Sequence, residues 1–286
     1  MKSLFKISPA FEDVVPAEYQ ELVTGGPFGE NPGLPGLGTF KELIEEHPLC
    51  AGCGLALALR LTMAALPTPG DTVIVGSTGC SSLLFPQVAV HNIHSLFGNQ
   101  NAVASGLKRA LELRFPDRAK DVVVIAGDGA TADIGLDMVL HSWFRRERIT
   151  TIMLDNEAYA NTGGQESGMS VEGTVLYMAP KGKRFPKIAM PEIAREAGCA
   201  YVAVAAPDRP RQLERAVRRA ILVAREVGPT YIQLLCPCPT NYKLRPNEAV
   251  ERAKQRRQDG SYAFQEHLTA EAQRVVDEME RESSDG

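Results

Sequence analysis

The chain has 286 residues, 44% of them hydrophobic, and a formal net charge of -4. That length suffices for one large α/β domain, or two small ones, with a substantial core, and without a basic excess nucleic acid is not expected as a partner. No run of 18 apolar residues and no charged-then-apolar leader stands in the sequence, so neither a membrane span nor export is expected, and the cytoplasm is the default.

Residues 1–46 read as an irregular arm, because Gly25-Gly26-Pro27-Phe28-Gly29 and Asn31-Pro32-Gly33-Leu34-Pro35-Gly36 interrupt any helix or strand. The arm is expected to lie over the surface or over a partner. A first domain then runs over 47–240. It opens with a helix from Leu55 to Leu66 that Pro67 closes. A short strand follows at Thr72 to Val75, then an amphipathic helix at Ala102 to Phe115. The β-branched run Val122 to Ala126 is a strand, Ile134 to Arg146 a helix and Ile149 to Leu154 the next strand. After a long glycine-containing loop come a short helix at Pro191 to Ala197, a strand at Tyr201 to Val204, a helix at Arg211 to Val227 and a strand at Tyr231 to Leu235. Strands that are apolar throughout and alternate with helices predict an α/β fold, a parallel sheet with helices on both faces, with ligands at the carboxyl ends of the strands. Residues 241–286 form a charged C-terminal extension, dense in Lys, Arg, Glu and Asp with sparse apolar residues such as Tyr262, Phe264 and Val276. It reads either as a solvated extension with one weak helix or as an arm that packs on another subunit.

Six cysteines in a reducing compartment do not make a disulfide framework. Cys199, between a helix and a strand, reads as a small buried hydrophobe. Cys50, Cys53, Cys80, Cys236 and Cys238 all stand among glycines or prolines, where the backbone turns tightly enough to surround a metal centre. Cys-X-X-Cys by itself also fits half of a zinc site or a redox dithiol. The histidines are given no role: a lone histidine such as His47, His91, His94 or His141 is more often a hydrogen-bonded structural residue than a catalyst.

The strand Val122–Ala126 ends in Gly127-Asp128-Gly129-Ala130-Thr131, where the flanking glycines let the backbone turn sharply and let a ligand approach the main chain. The Asp128 carboxylate is expected at the strand end rather than buried. Asn156 follows Gly127 by 29 residues, one crossover helix and one strand, so the two loops are expected side by side on one edge of the sheet. A carboxylate and an amide oxygen together are hard ligands suited to octahedral Mg²⁺ whose other positions are filled by phosphate oxygens and water.

This pairing resembles the signature of thiamine-diphosphate enzymes, a Gly-Asp-Gly followed about thirty residues later by Asn. The resemblance implies that Asp128, Asn156 and the backbone of Ala158 hold the metal. Asp155-Asn156-Glu157-Ala158-Tyr159-Ala160-Asn161-Thr162-Gly163-Gly164-Gln165 is similar to the corresponding loop of the 2-oxoacid:ferredoxin oxidoreductases, in the pyruvate, 2-oxoisovalerate, aryl-glyoxylate and oxalate branch, and so are His94-Ser95-Leu96-Phe97-Gly98-Asn99 and Ala102-Val103-Ala104-Ser105-Gly106. The chain is thereby identified as resembling the thiamine-diphosphate-binding (β) subunit of that family over about Cys50 to Cys238.

Carried over residue by residue, the resemblance implies cofactor contacts at Gly79, Cys80, Ser81, Asn99, Gly127, Asp128, Gly129, Ala130, Asn156, Ala158, Tyr159 and Thr162. It implies a [4Fe–4S] cluster on Cys50, Cys53, Cys80 and Cys238, with Cys236 the nearest rival to Cys238, and it implies Asn161 as the side chain facing the reacting carbon. The sequence departs from single-chain pyruvate members at Leu55, where those often carry an acidic residue. The expected activity is oxidative decarboxylation of a small 2-oxoacid, with electrons passed to ferredoxin and coenzyme A usually taking the acyl group. The expected partners are an alpha-type subunit that supplies the ring-activating Glu, ferredoxin-like and gamma-type subunits, and ferredoxin itself. Two other readings stay open: a cluster-free thiamine-diphosphate decarboxylase or synthase subunit, and a non-catalytic scaffold on a degenerate fold.

Overall fold

The computed structural model describes residues 47–284 with the exception of Ala119, so the arm expected over residues 1–46 lies outside the described residues. The elements in chain order are α1 (Gly54–Ala64), β1 (Thr72–Ser77), β2 (His91–Ser95), α2 (Gln100–Arg114), β3 (Asp121–Gly127), α3 (Leu136–Phe144), β4 (Thr150–Asp155), α4 (Met190–Glu196), β5 (Tyr201–Ala205), α5 (Pro210–Glu226), β6 (Thr230–Leu235), the short α6 (Pro239–Tyr242), α7 (Ala249–Gln258), β7 (Gln265–Leu268) and α8 (Ala270–Ser284).

The strands form one sheet in the order β2-β1-β3-β4-β6-β5-β7, parallel except for β7, which runs antiparallel to β5. Alternate residues of each central strand serve opposite faces. On one face Val123, Ile125, Ile152, Leu154 and Ile232 pack under α1, α5 and α8. On the other, Val122, Val124 and Ala126 meet α2, while Met153 and Tyr231 meet Trp143 of α3 and Met190 of α4. The expected parallel sheet covered on both faces is therefore present. Helix α5 shows why the elements form where they do: Pro210 stands at its first turn, and Leu213, Ala216, Val217, Ala220, Ile221 and Ala224 recur at helical spacing to give it one buried stripe.

Two strands escape the sequence pattern. β2 is mostly exposed and polar, and β7 reads Gln-Glu-His-Leu, so neither carries the apolar run that marks the central strands; both are edge strands held by backbone pairing to one neighbour. The helix expected from Ile134 begins at Leu136, because residues 129–133 wind first into a wider π-type turn. The segment after residue 240 is more than a solvated extension: it folds back on its own sheet, contributing β7 at the edge and α8, whose Ala272 and Val276 join the core. Among the described residues no helix is long and apolar enough to cross a membrane.

Candidate active site at the carboxyl edge of the sheet

Parallel pairing brings separate stretches of sequence to one edge. Gly127 at the end of β3 stands opposite Leu154 of β4, and Asp155, the last residue of β4, stands opposite Leu235 of β6. The residues just past these strands, Asp128, Asn156 and Cys236, are consequently neighbours, and the Cys236 N–H donates to the Asp155 carbonyl at 2.7 Å. Thr78, Gly79 and Cys80 follow β1, which pairs with β3 on its other side.

A cavity of about 430 Å³ opens among these strand ends. Its walls include Gly79, Cys80, Ser81, Gly127, Asp128, Gly129, Ala130, Asn156, Ala158, Tyr159, Asn161 and Thr162, every residue singled out for the cofactor or for catalysis except Asn99. Asn99 is instead exposed at the start of α2, and Phe97 takes the place on the wall. Leu55 and Ile134 add apolar surface to the lining, with Thr78 beside them. Gly129 is required where it stands, since a Cβ there would lie 2.2 Å from the Tyr159 ring. That ring is fixed in turn by its hydroxyl, which donates to Asp133 Oδ2 at 2.8 Å.

Asp128 is buried, 2% exposed, not presented freely at the strand end as expected. The π-type turn after it and the loop around residues 167–170 close over it, and Ser167 Oγ donates to its Oδ2 at 2.6 Å. Burial first, and Asp155 next, push its carboxyl well above the usual carboxylate range, despite help from Ser167 and the Gly129 amide. Ser81 Oγ is also buried in this wall, without a hydrogen-bond partner among the described residues. A carboxylate without an ion-pair partner and a hydroxyl without a hydrogen-bond partner among the described residues, on the wall of one cavity, fit a metal–diphosphate ligand.

A second cavity, of about 220 Å³, shares Leu55, Cys80, Asn156, Ala160 and Asn161 with the first. Its walls carry Cys50, Cys53, Cys80, Cys236 and Cys238. Cys50 and Cys53 sit on a tight turn closed by Cys53 N–H to Cys50 O at 3.0 Å. Gly52 between them has φ +75°, and a Cβ there would lie 2.0 Å from the Pro246 carbonyl oxygen, so only glycine allows this approach. Burial, then the neighbouring sulfurs of Cys53, Cys238 and Cys50, push the Cys80 thiol up to about 12. No lysine, arginine or histidine lines this cavity among the described residues, so no described side chain of its wall would compensate a set of thiolates here. The thiols share a cavity without being drawn together as a ready-made metal site: among the described residues no group of three or more His, Cys, Asp or Glu side chains is so gathered. Cys236 differs from the rest, since its Sγ lies 3.4 Å from the Leu234 carbonyl and it belongs to the main core. Cys199 is buried under α4, as expected of a small hydrophobe.

Comparison with known proteins agrees with this geometry. Residues 77–234 match the family described as thiamine pyrophosphate enzyme, C-terminal TPP binding domain. The pyruvate synthase subunit PorB of Methanothermobacter marburgensis is 38% identical over 235 residues, covering 78% of this chain and 79% of that protein. The ketoisovalerate oxidoreductase subunit VorB of Pyrococcus horikoshii is 32% identical, covering 75% and 72%. The chain belongs to the thiamine-diphosphate-binding β subunits of the 2-oxoacid:ferredoxin oxidoreductases. A solved member, the 2-oxoglutarate:ferredoxin oxidoreductase of Magnetococcus marinus, superposes with a TM-score of 0.62 at 26% identity, covering 74% of this chain and 72% of that one.

In this β subunit the loop after β4 is held from behind by charges that no motif announced. Glu157 has φ +60°, a left-handed conformation that costs a residue with a Cβ about 1–2 kcal/mol. Its carboxylate receives Lys187 Nζ at 2.9 Å and the fork of Arg256 at 2.7 and 3.1 Å. Asp155 receives Lys187 Nζ at 2.7 Å, Gln233 Nε2 at 3.0 Å and the Tyr262 hydroxyl at 3.1 Å. Burial opposes the charge on Lys187, but Asp155 and Glu157 outweigh it and hold its pKa above the ordinary lysine value. Lys187, Arg256 and Tyr262 stand 30 to 107 residues from their partners in sequence, so no local pattern marks them.

Proposed function

We propose that this subunit holds Mg²⁺–thiamine diphosphate in the larger cavity and a [4Fe–4S] cluster in the smaller, and takes part in the oxidative decarboxylation of a small 2-oxoacid of the pyruvate class. The electrons pass to ferredoxin and coenzyme A accepts the acyl group. The observation that carries this reading is the shared wall: a buried carboxylate with no ion-pair partner among the described residues lines one cavity, and five thiols line the cavity beside it. The names of the pyruvate synthase and ketoisovalerate oxidoreductase relatives support pyruvate first and branched-chain 2-oxoacids second as substrates.

Asp128 and Asn156 would hold the metal with the backbone of Ala158, and Ser81 Oγ is free to donate to a diphosphate oxygen. Thiamine diphosphate, when bound, supplies the carbanion chemistry that severs the bond between the keto and carboxyl carbons of a 2-oxoacid. Asn161, on the wall common to both cavities, can donate an amide hydrogen to negative charge developing on the substrate oxygen, and it does so without titrating. Leu55, Phe97 and Ile134 keep that region apolar, which strengthens each such hydrogen bond. Cys50, Cys53, Cys80 and Cys238 would ligate the cluster through thiolates, with Cys236 spare.

Neither cavity is lined by a glutamate among the described residues, which supports an alpha-type partner subunit as the source of the ring-activating Glu, with ferredoxin-like and gamma-type subunits completing the complex. Six unpaired cysteines suit a reducing compartment such as the cytoplasm. The anaerobically purified complex is expected to reduce a viologen dye with pyruvate and coenzyme A, while the isolated subunit reduces none. Cys236→Ala is expected to keep its iron and its absorption near ~400 nm, and Cys238→Ser to lose or convert the cluster. Full iron in both variants would refute the four-cysteine site, and turnover by the isolated subunit would refute the shared active site.

A further inference from the structure

From the last residue of β4 into the loop after it, the residues alternate. Asn156 and Ala158 lie on the cavity wall, whereas Asp155 and Glu157 are tied into the charge network behind it. Every polar group of Glu157 is engaged. Its N–H donates to Asp155 Oδ1 at 3.0 Å, its carbonyl accepts the Ser170 hydroxyl, and its carboxylate takes Lys187 and both arms of the Arg256 fork. A left-handed residue with a side chain persists only where its surroundings over-determine it. Arg256 is buried, 7% exposed, and stands on α7, 99 residues beyond Glu157 in a segment that supplies no residue to either cavity wall beyond Thr240.

We propose that Arg256 is a positioning residue for the metal–diphosphate site. Through its fork on Glu157 it holds the left-handed turn that sets Asn156 and the Ala158 backbone on the cavity wall. The extension after residue 240 is thus part of the cofactor site without touching it. Lysine cannot replace Arg256 fully, because a single ammonium does not reach both carboxylate oxygens in the planar geometry of a guanidinium. The inference rests on the reading of this wall as the Mg²⁺–thiamine diphosphate site.

The test uses the whole anaerobic complex and reads thiamine diphosphate affinity at fixed Mg²⁺ by calorimetry, with iron content and thermal midpoint measured alongside. Arg256→Met is expected to weaken the cofactor by about 10- to 100-fold, the usual range for a group that orients a metal ligand. The decisive variant adds Glu157→Gly. Glycine takes φ +60° without penalty and needs no fork to hold it, so the double variant is expected to recover most of the lost affinity. Glu157→Ala in the same background also removes the stranded carboxylate but keeps the penalty of a Cβ at φ +60°, so rescue by glycine and not by alanine is expected, and equal rescue by alanine, the mark of a merely structural charge pair, overturns the proposal. Should Arg256→Met fail to assemble, Arg256→Lys keeps the charge and loses the fork, and is expected to show a several-fold loss that Glu157→Gly again repairs. Wild-type affinity in the single variants, or a loss that Glu157→Gly leaves unrepaired, overturns the proposal. Absence of thiamine diphosphate binding in the unmodified complex would instead overturn the cofactor reading beneath it.

Discussion

The two edges of the sheet place the same residue types under opposite regimes. At the amino edge, Asp121 opens β3 and is met by Arg225 of α5 through two hydrogen bonds of 2.7 and 2.6 Å, and Asp71, just before β1, is met by Lys120 and by Arg118. The Lys120 and Arg118 side chains hold the Asp71 carboxyl below the usual range. At the carboxyl edge, Asp128 is more deeply enclosed than Asp71, yet among the described residues only the Ser167 hydroxyl and the Gly129 amide donate to it, and its carboxyl is pushed up. A carboxylate out of water needs a cation. At one edge the chain supplies it and closes the fold; at the other the need is left standing on the wall of a cavity, which is how a binding site differs from an ion pair.

The largest effect expected is at the carboxyl edge. Asp128→Ala should abolish thiamine diphosphate retention and dye reduction in the complex, a loss of at least about 100-fold, without lowering the thermal midpoint of the cofactor-free chain, since it removes an uncompensated buried carboxylate. Retained cofactor and normal turnover would erase the contrast between the edges. Ser167→Ala sharpens it: removing the hydroxyl that orients Asp128 should cost roughly 10-fold in cofactor affinity, measured by calorimetry, with the fold intact.

The amino edge should answer in stability alone. Arg225→Met leaves Asp121 buried without its partner and should cost roughly 1–3 kcal/mol in denaturant unfolding, with turnover per folded complex unchanged; altered turnover would mean that the edges are coupled. The smallest effect belongs to Asp71. Its folded pKa lies below its unfolded value of about 3.9, so its contribution is present above that pH and is lost as the pH falls through the folded pKa. Asp71→Asn should therefore be less stable than the parent at neutral pH, with the difference shrinking below about pH 4. A difference that is constant with pH would remove the ion pair as its cause.

Much of this was legible in sequence because it is local. The buried strands announce themselves as apolar runs, and Gly127-Asp128-Gly129 with Asn156 at its fixed distance needs only one crossover to become a pair of neighbouring loops. Edge strands β2 and β7 were not legible, because an edge strand is selected by backbone pairing with one neighbour and tolerates polar side chains on both faces. The extension after residue 240 misled for a related reason. Its charges read as solvent-facing, whereas Arg256 and Tyr262 are buried against carboxylates contributed by β4 and the loop after it.

The sequence by itself therefore determined the fold class, the family and the strand-end residues that line the site. The fold class and the pairing of Asp128 with Asn156 follow from apolar runs and the length of one βαβ crossover, while the family and the other site residues follow from the resemblance of the motifs. Only the tertiary structure decided that Asp128 is enclosed, that the five cysteines face one cavity sharing a wall with the other, and that Lys187 and Arg256 brace Glu157 from behind. Burial and charge pairing are properties of how distant segments stack, and Coulomb attraction between residues 30 or 99 positions apart leaves no periodicity in the chain to read.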